Sequence, residues 1–216
     1  MAKENKEWSQ SAKPTGSRGR IAAKAMARGH KHFYRETANA LQLQNDDRFL
    51  DIGFGSGEFI KRYASHVSRI AGIDHSGDMV ELAKDINREL IESGKAEFRA
   101  GDAASLPWKD NTFTAVAGIE TFYFWQKPKK ALKDIHRVLV PGGRLAIEMG
   151  FNKDDGVDHS REVKKHGMRL YGATEMRSLL AESGFVNIQI EYFKCIWLPF
   201  KGHLVPKGMV VKGIKK

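Results

Sequence analysis

Apolar residues in the middle of this chain fall into short dense runs separated by stripes at helical spacing. Phe49, Leu50 and Ile52 predict a buried strand over Arg48–Ile52, and Ile70, Ala71 and Ile73 a second over Arg69–Asp74. Further strands are expected at Ala96–Ala100, 112–119, 144–149, Phe185–Phe193 and 209–214. Between them lie helical patterns. One starts at Glu58 and runs to about 65. Another begins after Ser76 and places Met79, Val80, Leu82, Ala83, Ile86 and Leu90 on one face, with Gly94 as its stop. A third covers 128–140, opened by Pro128 and closed by the turn Pro141-Gly142-Gly143. Thr174 and Glu175 cap a fourth, which Gly184 ends. Upstream, Met26, Phe33, Ala40 and Leu43 predict a helical segment over 21–43, broken near Gly29. The charged stretch 150–165 reads as an exposed loop.

Strands alternating with helices imply right-handed crossovers and an α/β fold. It is a seven-stranded, mostly parallel sheet with helices on both faces. No helix separates the last two strands, so they are expected to pair as a C-terminal antiparallel hairpin. The 216 residues suit one domain, and 41% hydrophobic with 29% charged residues is ordinary for a globular protein. No apolar run reaches the roughly 20 residues that span a bilayer, and no secretory signal opens the chain, so a cytoplasmic protein is expected. One cysteine, Cys195, excludes an internal disulfide, and the histidine spacings make no convincing metal site.

The net charge of +10 changes meaning once it is located. Residues 1–35 carry +7 and 201–216 carry +5, which leaves −2 on the body from 36 to 200. A flexible basic tail over 1–19, followed by one domain over 20–216, accounts for this. Nucleic acid is not expected as the partner.

Candidate chemistry concentrates where the first strand ends. Asp51-Ile52-Gly53-Phe54-Gly55-Ser56-Gly57 is a Gly-x-Gly-x-Gly turn running into the helix at Glu58. A dinucleotide fold would have the third glycine one position later. The shorter spacing suits the phosphate-free cofactor S-adenosylmethionine (SAM). Asp74 ends the second strand 23 residues after Asp51, the distance at which a strand-end acid meets a ribose, and Asp102 follows the third strand. Three carboxylates in register are much rarer by chance than one.

With those residues in view, the chain resembles the class I SAM-dependent methyltransferases. The likeness rests on LDIGFGSG (50–57), IAGIDHSGDMVELAK (70–84), FRAGDAASLPWKDNTFTAVAGIETFYFW (98–125) and HRVLVPGGRLAIEM (136–149). Within that Rossmann-like family it is similar to the small-molecule branch typified by ubiquinone and menaquinone methyltransferases. The resemblance implies that Gly53, Gly55 and Gly57 line the methionine part of SAM, with Asp51 fixing the turn and Phe54 flanking it. It implies Asp74 at the ribose with His75 and Ser76 beside it, and Asp102 and Ala103 at adenine. Ile119, Glu120 and Thr121 would sit near the sulfonium.

Methyl transfer to a hydroxyl wants a general base. Glu120 and His30 are the leading candidates, alongside His159, His166 and Tyr171. The aromatic run 121–125 begins where acceptor pockets are lined. Phe122 or Tyr123 is expected to face the acceptor together with Tyr171, with Trp125 packed inside. The boxes that serve adenine, pyrimidine and arginine acceptors are missing. A small apolar or aromatic acceptor therefore leads, taken up under the helical segment 20–44 and the 150–172 loop as lids. RNA or protein methylation through the basic ends, and SAM binding without catalysis, are the alternatives.

Overall fold

Each expected strand forms in a computed structural model that describes residues 9–195 and 207–216. They are β1 (Arg48–Ile52), β2 (Arg69–Asp74), β3 (Ala96–Ala100), β4 (Phe113–Ile119), β5 (Leu139–Met149), β6 (Phe185–Phe193) and β7 (Gly208–Lys215). Their order in the sheet is β3-β2-β1-β4-β5-β7-β6, with β1 to β5 parallel. β7 inserts antiparallel between β5 and β6, which gives the expected C-terminal antiparallel pairing. The chain reverses its direction of growth between β1 and β4, which opens a crevice at the carboxyl ends of those strands.

Period-two alternation sorts the strands onto two layers. Leu50, Ile52, Ala71, Ile73, Val116, Leu145 and Ile147 face one side, against α6 (Pro128–Val138) and α8 (Ala173–Glu182). Phe49, Ile70, Ala115, Ala117 and Ala146 face the other, against α2 (Lys31–Leu41), α3 (Glu58–Tyr63) and α4 (Gly77–Ile86). The same parity sends Asp51, Asp74 and Glu148 to this second side. α1 (Gly16–Gly29) lays Ala23 and Met26 on Met79 and Leu82 of α4, and α1 and α2 meet at His30, next to the break expected at Gly29.

Several boundaries differ from expectation. The long helix after Ser76 divides at Asn87 into α4 and α5 (Arg88–Glu92), because the Asn87 amide donates both to Ala83 O and back to Gly57 O. The helix expected over 128–140 ends at Val138, and Pro141–Gly143 falls inside β5 as an irregularity, where the register with β4 shifts. Thr174 lies inside α8 and caps nothing. The cap acceptor is Asp154, whose Oδ2 takes the Ala173 N–H at 2.6 Å from far outside the helix. Nor is 150–165 a plain exposed loop. It contains most of α7 (Ser160–His166), and Asn152, Asp155 and His159 are buried, with His159 Nε2 2.6 Å from Asp155 Oδ2.

The expected tail also departs from its forecast. Residues 1–8 lie outside the described residues, and helix begins at Gly16, not 20. Residues 9–16 form a strap across the crevice. Ser9 Oγ donates to His166 O at 3.2 Å, Ser76 Oγ to Pro14 O at 2.5 Å, and Gly16 N–H to Asp78 Oδ2 at 3.0 Å. Within the strap, Ala12 and Pro14 are buried. No helix among the described residues is long and apolar enough to cross a membrane.

Candidate active site

The turn after β1 brings main chain close to neighbouring side chains and leaves space where a ligand would lie. A Cβ on Gly53 (φ +73°) would stand 2.3 Å from Thr121 Oγ1, so only glycine lets the two strand ends approach. Gly55 (φ +55°) has nothing within 4 Å of the position a Cβ would take. Its N–H donates to Asp74 Oδ2 at 2.9 Å, while Ser76 N–H donates to Asp74 Oδ1 at 2.9 Å. One buried carboxylate thus ties the glycine turn to the start of α4.

Two adjoining cavities of atom-free space, about 720 and 690 Å³, meet here and share Gly53, Asp74, His75, Thr121 and Phe124. The first lies between the strand tips and the roof made by the strap, α1 and α2. Asp51, Phe54, Gly55, Ile119 and Glu120 line its floor, with Met26, His30 and Tyr34 above. The second lies over β1 to β3 and is lined by Ile73, Asp102, Ala103, Trp125 and Gln126 among others. Among the described residues no Lys or Arg lines either cavity.

Burial governs the charges. It raises Asp74, against the pull of its two N–H donors. Burial, then the neighbouring Asp74 charge, pushes Asp51 up to about 8. His30 stacks near Phe33 and Tyr34, and burial lowers it to about 4, so it is neutral at pH 7. Burial likewise lowers His75, against the attraction of Asp74, whose Oδ1 is 3.7 Å from Nδ1. Asp102 is exposed at the rim and accepts Ala104 N–H at 2.8 Å.

Glu120 follows β4 directly. Its Oε1 accepts the Tyr123 hydroxyl at 2.5 Å and the Gly150 N–H, and burial raises its carboxyl to about 7. Glu148, beside it on β5, is wholly buried with both oxygens unpartnered among the described residues.

The fold therefore brings Asp51, Gly53, Phe54, Gly55, Asp74, His75, Asp102, Ala103, Ile119, Glu120, Thr121 and His30 to one crevice. Other expectations need correction. Gly57 sits behind the turn against Asn87 and Ala83, and Ser76 is buried with its hydroxyl spent on Pro14. Phe122 and Tyr171 are both fully buried and stack on each other at 4.8 Å, away from either cavity. Tyr123 is buried behind Glu120. The aromatic run thus presents the opposite pair. Its 3-10 turn (Phe122–Phe124) turns Phe122 inward and leaves Phe124 and Trp125 on the crevice wall. Sequence reasoning also missed Tyr34, Met26 and the strap. Met26 was visible as a helical-stripe residue, but nothing local marks the strap as part of a site. Among the described residues no group of three or more His, Cys, Asp or Glu gathers as a metal site.

This architecture has relatives. Residues 50–147 match the family model described as a methyltransferase domain. An O-methyltransferase of Pyrenophora dematioidea is 30% identical over 183 residues, 82% of this chain and 68% of that protein. Demethylmenaquinone methyltransferase of Lactiplantibacillus plantarum is 32% identical over 121 residues, 54% of this chain and 50% of that protein. Among solved structures, a chain from the complex of the Haloferax volcanii Trm112 methyltransferase activator with a methyltransferase superposes with a TM-score of 0.78. It is 19% identical, covering 90% of this chain and 93% of that one. The Gly-x-Gly-x-Gly turn, the acids at the tips of β1 and β2, the reversed strand order and these likenesses agree: the chain belongs to the class I SAM-dependent methyltransferases.

Proposed function

We propose that this protein methylates a hydroxyl of a small neutral acceptor, with Glu120 as the general base. The reading rests on the place of Glu120: its half-buried carboxyl lines the crevice wall at the end of β4 beside Asp51 and Asp74, with no Lys or Arg among the described lining residues, and burial raises it to about 7. Such a wall offers no cation to a carboxylate or phosphate group, which argues for a neutral acceptor over nucleic acid. Phe124, Trp125, Met26 and Tyr34 supply apolar and aromatic surface for it. The O-methyltransferase name of a relative similar over most of the chain supports hydroxyl over carbon as the acceptor atom.

The crevice residues fit SAM. Gly55 offers bare main chain with open space before it, Gly53 packs closely on Thr121 beside it, and Asp74 presents a buried carboxylate to ribose hydroxyls. Ile73 and Ala103 make an apolar slot for adenine, with Asp102 at its edge. Asp51 and Glu120 complement a ligand bearing ammonium and sulfonium charges. When bound, SAM would supply an electrophilic methyl group with a thioether as its leaving group. Glu120 takes the proton of the acceptor hydroxyl, and Tyr34 with the neutral His30 orients that hydroxyl under α1 and α2. The strap and these two helices act as the lid that excludes water.

Methyl-labelled SAM incubated with a panel of phenols and alcohols, each paired with its carboxylated or phosphorylated counterpart, tests this. Label is expected on the neutral hydroxyl compounds, with a rate rising through about pH 7 in wild type and flat in Glu120→Gln. Label on the charged counterparts alone, or on RNA, refutes the reading.

A further inference from the structure

Glu120 is held unlike an ordinary wall residue. Its backbone has φ +54°, a region that strains any residue but glycine and is kept only where the surroundings demand it. What demands it here is a relay of donors. Phe151 N–H donates to the Tyr123 hydroxyl at 3.0 Å, and that hydroxyl donates to Glu120 Oε1 at 2.5 Å, within the range of a charge-assisted bond. Gly150 N–H donates to the same oxygen, and a Cβ on Gly150 would lie 2.9 Å from it, so the main chain must be bare at that point.

The neighbouring carboxyl has none of this. Glu120 N–H bonds to Glu148 O at 3.2 Å, yet the Glu148 side chain has no donor of its own among the described residues. Of two acids sharing a dry space, the one with donors ionises first. The other titratable groups around the pair are Asp51 on β1, His30, Tyr34 and Glu36 at α2, and the Cys195 thiol after β6. None of them is hydrogen-bonded to the Glu120 carboxylate among the described residues. Among the described residues Tyr123 is thus the side chain that donates to Glu120, alongside the main-chain Gly150 N–H.

We propose that Tyr123 is a positioning residue for the methyl transfer: its hydroxyl, steered by Phe151 N–H, localises the negative charge on Glu120 and fixes that carboxylate at the crevice wall. This rests on the reading of Glu120 as the base. Glu148 then remains a neutral acid, kept so by burial and by the charge on Glu120. Tyr123 stays protonated, since burial, then the carboxylates of Glu120 and Glu148, hold its phenol well above the ordinary range.

The test follows the Glu120 carboxyl by 13C NMR in cofactor-free protein labelled at glutamate, its signal assigned by loss in Glu120→Gln, alongside kcat against pH. The wild-type midpoint is expected near 7. In Tyr123→Phe it is expected to rise by about one pH unit or more, since a bond to a charged acceptor is lost. The rate at pH 6 should then fall about tenfold and recover at pH 9, with KM for the acceptor within threefold. Should Tyr123→Phe not fold, 3-fluorotyrosine placed at 123, a stronger donor, should lower the midpoint. An unshifted midpoint, with Glu120→Gln inactive, overturns the inference alone. A Glu120→Gln protein with full rate and an unchanged pH profile overturns the base reading and this inference together.

Discussion

Replacing Asp74 by asparagine separates two duties that one side chain performs. Its carboxylate holds the N–H groups of Gly55 and Ser76, each at 2.9 Å, and is read as the acceptor for the cofactor ribose. Asparagine keeps one acceptor oxygen and turns an NH2 toward the other N–H, so one buried donor loses its partner. That costs about 1–3 kcal/mol, partly offset because a buried charge is removed; a net loss of about 1–2 kcal/mol is expected. The ribose duty is larger in effect. Losing a hydrogen bond to a charged acceptor is worth about 1.5–3 kcal/mol, which weakens binding roughly tenfold to a hundredfold. Calorimetric titration with S-adenosylhomocysteine at pH 7.5 reads the second duty, and urea unfolding of the cofactor-free protein reads the first. Asp102→Asn, at the exposed rim, serves as the comparison and should weaken binding less. If Asp74→Asn lowers the urea midpoint yet binds within threefold of wild type, Asp74 is only a clamp for the turn, and the ribose assignment is wrong.

Gly53→Ala should abolish cofactor binding and lower the melting temperature, because its methyl meets Thr121 Oγ1 in a left-handed backbone; wild-type melting would contradict the packing described. Gly55→Ala has open space, so it should melt close to wild type while titration shows weaker binding, its methyl pointing into the ligand's volume. Glu120 binds its proton more tightly folded (about 7) than its ordinary value of 4.5, so it stabilises the fold at low pH and loses that contribution as pH rises through this window. The loss is about 3 kcal/mol; melting temperature should fall between pH 4.5 and 7, and the fall should be shallower in Glu120→Gln. Asp47→Ala, at the opposite end of the sheet, removes the acceptor of Arg144, of Gln44 N–H and of the Thr114 hydroxyl, and should cost about 1–3 kcal/mol in urea unfolding without changing cofactor affinity.

The parts legible in the sequence are those that periodicity encodes. Strand parity alone places Asp51 and Asp74 on one face, and the glycine spacing places the turn between them. What escaped is set by partners distant in the chain. Thr174 looks like a cap until Asp154 reaches the helix end from outside. Ser76 looks like a cofactor residue until Pro14 claims its hydroxyl. The run 122–125 is visibly aromatic, but which rings turn inward depends on a single 3-10 turn and on Tyr171 arriving to stack on Phe122. The charged stretch 150–165 reads as exposed because nothing local pairs Asp155 with His159 in the interior.

The strap has a consequence for the order of assembly. Pro14 waits for a hydroxyl 62 positions further on, and Ser9 for a carbonyl 157 positions further on. Closing such long loops comes late and yields little per contact, so the earliest described residues dock on a sheet already built, and they undock first. The nascent chain therefore fastens the strap over the crevice only after α7 has been made.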